Sequence, residues 1–150
     1  MELTHVNKEG NAFMVDVSAK KIVKRTASAS GKIMLQKKTL ELVQSNLLKK
    51  GDVLAVAKIA GIMAAKKTEE LIPLCHCLNL EHVDINFNIA ADGIEIISKV
   101  ITSGKTGVEM EALTAVSVAA LTVYDMCKAV DKKMKIENIY LVDKKKEETE

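Results

Sequence analysis

The sequence predicts an α+β domain with helices packed on one face of an antiparallel sheet. Three observations lead there. Apolar periodicity switches between strand-like alternation and helical spacing in the order β-α-α-β-β-α-β. Val83, Ile85, Phe87 and Ile89 alternate with polar residues, and Asp92-Gly93 follows them as a hairpin signal. The strict strand–helix alternation of a parallel doubly wound sheet is missing.

Each element has a local reason. Ile22–Leu35 reads as extended, with the small residues Thr26–Gly31 suited to a bend or a close approach. Leu40, Val43 and Leu47 predict a helix over Gln36–Leu48, ended by Gly51. Asp52 is a good N-cap for an Ala-rich helix over Val53–Lys67. Pro73 opens a loop, Ile72–Leu78, before the hairpin strands, the second of which is Ile94–Ile101. Ser103–Gly107 leads into a long helix, Val108–Val130, and Ile136–Val142 is the last strand. One domain spans residues 1–150, with loose ends at 1–12 and at Lys144–Glu150 (KKKEETE).

Composition narrows the function classes. The 150 residues carry a net charge of +2, with 48% hydrophobic and 28% charged residues, ordinary values for a folded globular chain. Of 22 basic residues only Arg25 is arginine, and there is no Trp. That argues against base reading by bidentate arginines and against aromatic stacking platforms, so no nucleic-acid partner is expected. Three cysteines without paired spacing predict no disulfide framework and suit a reducing, cytoplasmic compartment. The polar start MELTHVNKEG does not read as a secretory leader. The charge-free run Ala112–Tyr124 falls short of the roughly 20 residues that cross a bilayer, so no membrane is expected. That run is apolar on every face of its helix and must be covered all round; oligomerisation is the economical way to do it.

Few residues have the makings of a chemical site. Asp125 and Lys128 share a helix face and form either a surface ion pair, the commoner use, or an acid/base couple tuned by burial and mutual proximity. Gly104-Lys105-Thr106-Gly107 is not a P-loop, because Lys99 stands where the first glycine belongs. It remains either a helix cap or a turn offering N–H groups to an anion. Glu109 and Glu111 sit in the first turn of the long helix, where acids complement its dipole. At about 1.5 Å per residue, Glu109 and Asp125 stand roughly 24 Å apart, too far for one small substrate to touch both. A site using both ends of the helix is therefore shared between subunits or takes a long substrate. Cys75-His76-Cys77 has poor spacing for zinc, and no metal site is expected. His76 is either a site residue or a satisfied structural one, and His5 and His82 are given no role. The lysine doublets read as solvated surface, of which a few ammonium groups could converge on a polyphosphate.

Taken together, MVDVSAK (Met14–Lys20), KGDV (Lys50–Val53), AGIMAAKKT (Ala60–Thr68), LIPLCH (Leu71–His76), TGVEMEALTA (Thr106–Ala115) and YDMCKAV (Tyr124–Val130) closely resemble the molybdenum cofactor biosynthesis protein C family, the cyclic pyranopterin monophosphate synthases. The resemblance covers roughly Leu3 to Val142. One departure is Cys77, which stands where the family's LCHPL has proline. The resemblance implies a ferredoxin-like α+β fold and a homohexamer, a trimer of dimers with active sites at subunit interfaces. It implies conversion of a 3′,8-cyclised dihydroguanosine 5′-triphosphate into cyclic pyranopterin monophosphate, with release of pyrophosphate. No cofactor is required, although a divalent cation could accompany the triphosphate. By resemblance Asp125 is the catalytic acid/base and Lys128 its partner. Leu74, Cys75, His76, Met110 and Glu111 match substrate-binding segments, and Glu109, Lys50, Lys20 and Arg25 fall at site positions. Those residue types suit proton transfers during ring rearrangement and charge stabilisation on departing pyrophosphate. The division of labour expected is Lys50, Lys20 and Arg25 on the triphosphate, Asp125 and Lys128 near the ring, and Glu109, Glu111 and His76 on the guanine-derived edge. The alternative is a non-catalytic nucleotide-binding oligomer of the same fold.

Overall fold

A computed structural model describes residues 5–148. Four strands, β1 (Val23–Met34), β2 (Leu80–Ala90), β3 (Gly93–Gly104) and β4 (Lys135–Glu147), form one sheet in the order β2-β3-β1-β4, antiparallel throughout. Helices α1 (Lys37–Gln44), α2 (Val53–Lys66), the single turn α3 (Thr68–Leu71) and α4 (Glu109–Cys127) complete the fold. This is the α+β architecture that the hydrophobic pattern predicts, and it is consistent with a ferredoxin-like fold.

The core lies between sheet and helices. Ala27, Ala29, Ile33, Ile85, Ile94, Ile96 and Val100 face inward from the strands and meet Ala112, Ala115, Val116, Ala119, Ala120 and Val123 of α4. Phe87 packs against the same cluster from the apolar side of its strand. Small residues let α2 lie close on α4: a Cβ at Gly61 would run into Ile85 and stand 2.8 Å from the Ala115 carbonyl. Buried Ser98 donates to the Ala112 carbonyl at 2.8 Å and ties β3 to α4. By length and composition alone α4 could cross a membrane, with a mean hydropathy of 1.3, yet 56% of that window is buried in the fold, as befits a core helix.

Three elements differ from expectation. First, α1 stops at Gln44 rather than Leu48. Asn46 takes the left-handed conformation (φ 52°), its N–H bonding Val43 O at 3.1 Å while Leu47 N bonds Leu42 O at 3.0 Å. That is a Schellman stop, which asparagine supports nearly as glycine does, so Gly51 is not needed to end the helix. Second, α3 was not expected; Thr68 Oγ1 donates back to Ala64 O and Ala65 O and starts a further turn before Pro73. Third, Lys144–Glu147 is not a frayed end. It continues β4 against β1, with Lys144 opposite Ala27 and Glu147 opposite Lys24. Backbone pairing tolerates the charge run because its side chains point to solvent. At the other end, residues 5–12 form a turn closed by a Val6–Ala12 bridge, while residues 1–4 and 149–150 of the expected loose ends lie outside the described residues.

Candidate active site

Two segments meet at the N-terminal end of α4. The α3 turn and Pro73 deliver Leu74, Cys75 and His76 in an extended loop, pinned at its start by Cys75 N on Ile72 O. The turn Gly104–Gly107 enters α4 from β3 and is held by Arg25, whose Nε donates to Gly104 O at 3.1 Å and Nη2 to Lys105 O at 3.2 Å. The Glu109 carboxylate folds over this turn against Gly107, where a Cβ would push it aside.

Between these segments lies a cavity of about 380 Å3. Of the residues expected at a site, Lys20, Leu74, Cys75, His76, Glu109, Met110 and Glu111 all line it. His76 Nε2 donates to the Val15 carbonyl at 2.7 Å, which leaves Nδ1 as the acceptor in the neutral ring. Glu111 is 4% exposed. Burial pushes its carboxyl above the ordinary value, its own backbone amide pulls it back, and the nearby charges of Glu109 and Glu69 raise it further. Burial, with some help from Glu111, also pushes the Cys75 thiol up, which disfavours its thiolate. A raised carboxyl can hold a proton for donation where an ordinary one has lost it.

A second cavity, about 280 Å3, adjoins the first through Gly107 and Glu109. Arg25 lines it with Lys144, Lys145 and Lys146 from the end of β4, and Lys144 reaches Glu109 at 3.1 Å.

Asp125 and Lys128 lie at the opposite end of α4. Lys128 Nζ stands 2.6 Å from one carboxylate oxygen and Lys50 Nζ 3.2 Å from the other, with Lys50 also on the Asp125 carbonyl at 2.9 Å. Hydrogen bonds from Lys128 and then Lys50 hold the Asp125 carboxyl below the usual range, and Asp125 raises Lys128 in turn. Of the two influences expected on this couple, mutual proximity dominates and burial is corrected within one chain, since all three side chains are about half exposed. The cations expected on the triphosphate divide between the two ends of α4 within one chain. Lys50 joins Asp125 and Lys128, whereas Lys20 and Arg25 sit at the other end of the helix.

The structure adds residues that sequence reading passed over. His5, Val15 and Val17 line the main cavity, beside Thr106 and Gly107 of the turn already weighed as an anion site, and Lys144–Lys146 line the second. The SGKTG segment was the one available signal, since a turn at a helix start can face an anion; His5 had none. Among the described residues no group of three or more His, Cys, Asp or Glu side chains is placed to hold a metal ion.

A buried carboxyl sharing a cavity with a tautomer-fixed imidazole and an ammonium group suits acid–base chemistry on a small anionic molecule, and the class defined is a small-molecule enzyme. Comparison with known proteins makes this particular. The model of the MoaC family matches residues 14–147. A cyclic pyranopterin monophosphate synthase of Chloroflexus aurantiacus is 57% identical over 146 residues, covering 96% of this chain and 90% of that protein. One of Desulfitobacterium hafniense is 59% identical over 145 residues (96% and 89%), and one of Listeria monocytogenes 56% over 144 (95% and 90%). The chain belongs to the MoaC family.

Proposed function

We infer that this chain is a cyclic pyranopterin monophosphate synthase, a lyase of molybdenum cofactor biosynthesis. It acts on the 3′,8-cyclised dihydroguanosine triphosphate and releases pyrophosphate. The observation that carries the reading is the convergence of Leu74–His76, Glu109–Glu111 and Lys20 on one cavity, in a chain that is more than half identical to synthases of that name. Glu109, Glu111 and His76 engage the guanine-derived edge, whose N–H groups need acceptors. Lys20, Arg25 and Lys144 neutralise the phosphates and the charge that builds on departing pyrophosphate. A divalent cation neutralising the triphosphate would arrive with the substrate. The non-catalytic alternative is not favoured, because none of the site positions has lost its functional group.

The working unit is an oligomer, a hexamer built as a trimer of dimers in the cytoplasm, with sites completed across subunits. Support comes from α4. Met110 at the cavity end and Leu121 and Tyr124 toward the Asp125 end are exposed apolar residues on one face of α4, and Val56, Ile59 and Met63 of α2 are open as well. A second copy laid antiparallel along that face carries the partner subunit's Asp125 and Lys128 to the cavity. Each active site then holds an acid/base couple from one chain and a binding cavity from the other.

Incubation of the purified chain with the cyclised guanosine triphosphate tests the reading. Pyrophosphate and a pterin product in equal amounts are expected; intact substrate after prolonged incubation would refute it.

A further inference from the structure

Residues 5–22 form an arm before β1 with no helix or strand beyond the Val6–Ala12 bridge. None of it is buried, and only Val15 and Val17 are half-buried. Packing therefore does not explain its order, which costs about 1–2 kcal/mol of backbone entropy per residue. Hydrogen bonds do. Asn7 Oδ1 accepts from Glu9 N at 3.1 Å and Asn11 N at 2.8 Å, Gly10 turns the chain with φ +82°, and Phe13 N donates to His5 O at 3.1 Å. The turn thus fixes His5 close to Val15. Two side chains then dock the arm by its carbonyls: His76 on Val15 O and Lys105 on Ser18 O, both at 2.7 Å.

The result is a division of charge around the cavity. The arm contributes His5 and Lys20, and the helix end contributes Glu109 and Glu111. His76 has given its Nε2 hydrogen to Val15. Among the described residues neither the His5 ring nor the Lys20 ammonium has a hydrogen bond within the chain, so both are available to a ligand. We propose that His5, together with Lys20, holds the phosphate end of the substrate, and that the docked arm exists to bring it there. An imidazole N–H and an ammonium are the donors that phosphate oxygens take, and the carboxylates across the cavity repel the same oxygens. The proposal rests on the reading of this cavity as the substrate site.

Calorimetric titration of the intact oligomer with inorganic pyrophosphate tests it without needing turnover, with guanosine as the phosphate-free probe. In His5→Ala, pyrophosphate binding weakens about tenfold, the size of one charge-assisted hydrogen bond. KM for the cyclised triphosphate rises alike while kcat holds, guanosine binding is unchanged, and His5→Lys restores pyrophosphate affinity. The side chain is exposed, so the thermal midpoint stays put. Equal weakening of guanosine and pyrophosphate, or a fall in kcat at constant KM, overturns the proposal. If Lys20→Ala loses pyrophosphate affinity and His5→Ala does not, this proposal alone fails. If neither variant loses it, the phosphate reading of the cavity fails with it.

Discussion

Replacing Glu111 with Gln should make the protein more stable and nearly inactive at once. The carboxyl is 4% exposed, takes part in no ion pair among the described residues, and has Glu109 and Glu69 as charged neighbours. Its ionised form is therefore less comfortable folded than unfolded. A neutral amide of the same shape relieves that penalty, worth on the order of 1 kcal/mol for a polar group so placed. In a chain of this length the midpoint should rise by roughly 2–4 °C near pH 8. The sign with pH follows from the raised folded value. Below the ordinary 4.5 the wild-type carboxyl is protonated in both states and the variant has no advantage. As pH climbs through the raised folded value, wild type loses ground and the gap opens. Turnover should fall by about a hundredfold or more if the carboxyl moves a proton in the reaction. Urea melts at several pH values and a pyrophosphate-release assay read both effects. A variant less stable than wild type near pH 8, or one turning over within a factor of three, would refute the reasoning.

Other variants probe separate links in the argument. Asp131 is 1% exposed and accepts from Gln36 N at 2.8 Å and Lys133 N at 2.9 Å; Asp131→Ala should cost about 3 kcal/mol by urea melts, since two charge-assisted bonds are lost. Burial pushes that carboxyl up, but its hydrogen bonds win and hold it below the ordinary value. Its contribution is thus present above the ordinary carboxylate range and fades as pH falls through the lowered value, closing the gap with the variant. Gly61→Val should destabilise by about 1–3 kcal/mol or more by wedging α2 from α4, measured as a lowered thermal midpoint. Asp125→Asn should reduce turnover by roughly 10²–10⁴-fold while leaving guanosine affinity intact in calorimetry.

Most of the fold is legible because its signals are local. Asp52 caps α2 with a 3.0 Å bond to Ala55 N, as its residue type requires. The hairpin signalled by Asp92-Gly93 joins β2 to β3, although its two-residue loop is Ala91-Asp92 and Gly93 already pairs with Ala90. The end of β4 is not legible, because Lys144–Glu147 has lost the alternation that marks a strand and is held by backbone pairing to β1. The site divides in the same way. His76, Glu109 and Glu111 stand out as chemistry-bearing residues on a loop and a helix start. His5 lies in a polar stretch whose position is set by bonds from His76 and Lys105, residues 61 and 87 positions from their acceptors. The distance between Glu109 and Asp125 is readable from helix rise alone, and in the proposed reading it is this distance that leaves the site of one chain incomplete.

Mixing two inactive variants tests that incompleteness most directly. Asp125→Asn and Glu111→Gln damage opposite ends of α4, so a dimer holding one copy of each has one site with both lesions and one site with neither. After dissociation and random reassembly half of the dimers are mixed, and about a quarter of wild-type pyrophosphate release should return. Activity that stays at the level of the separate variants, in mixtures where mass spectrometry finds mixed dimers, would contradict a site shared between subunits.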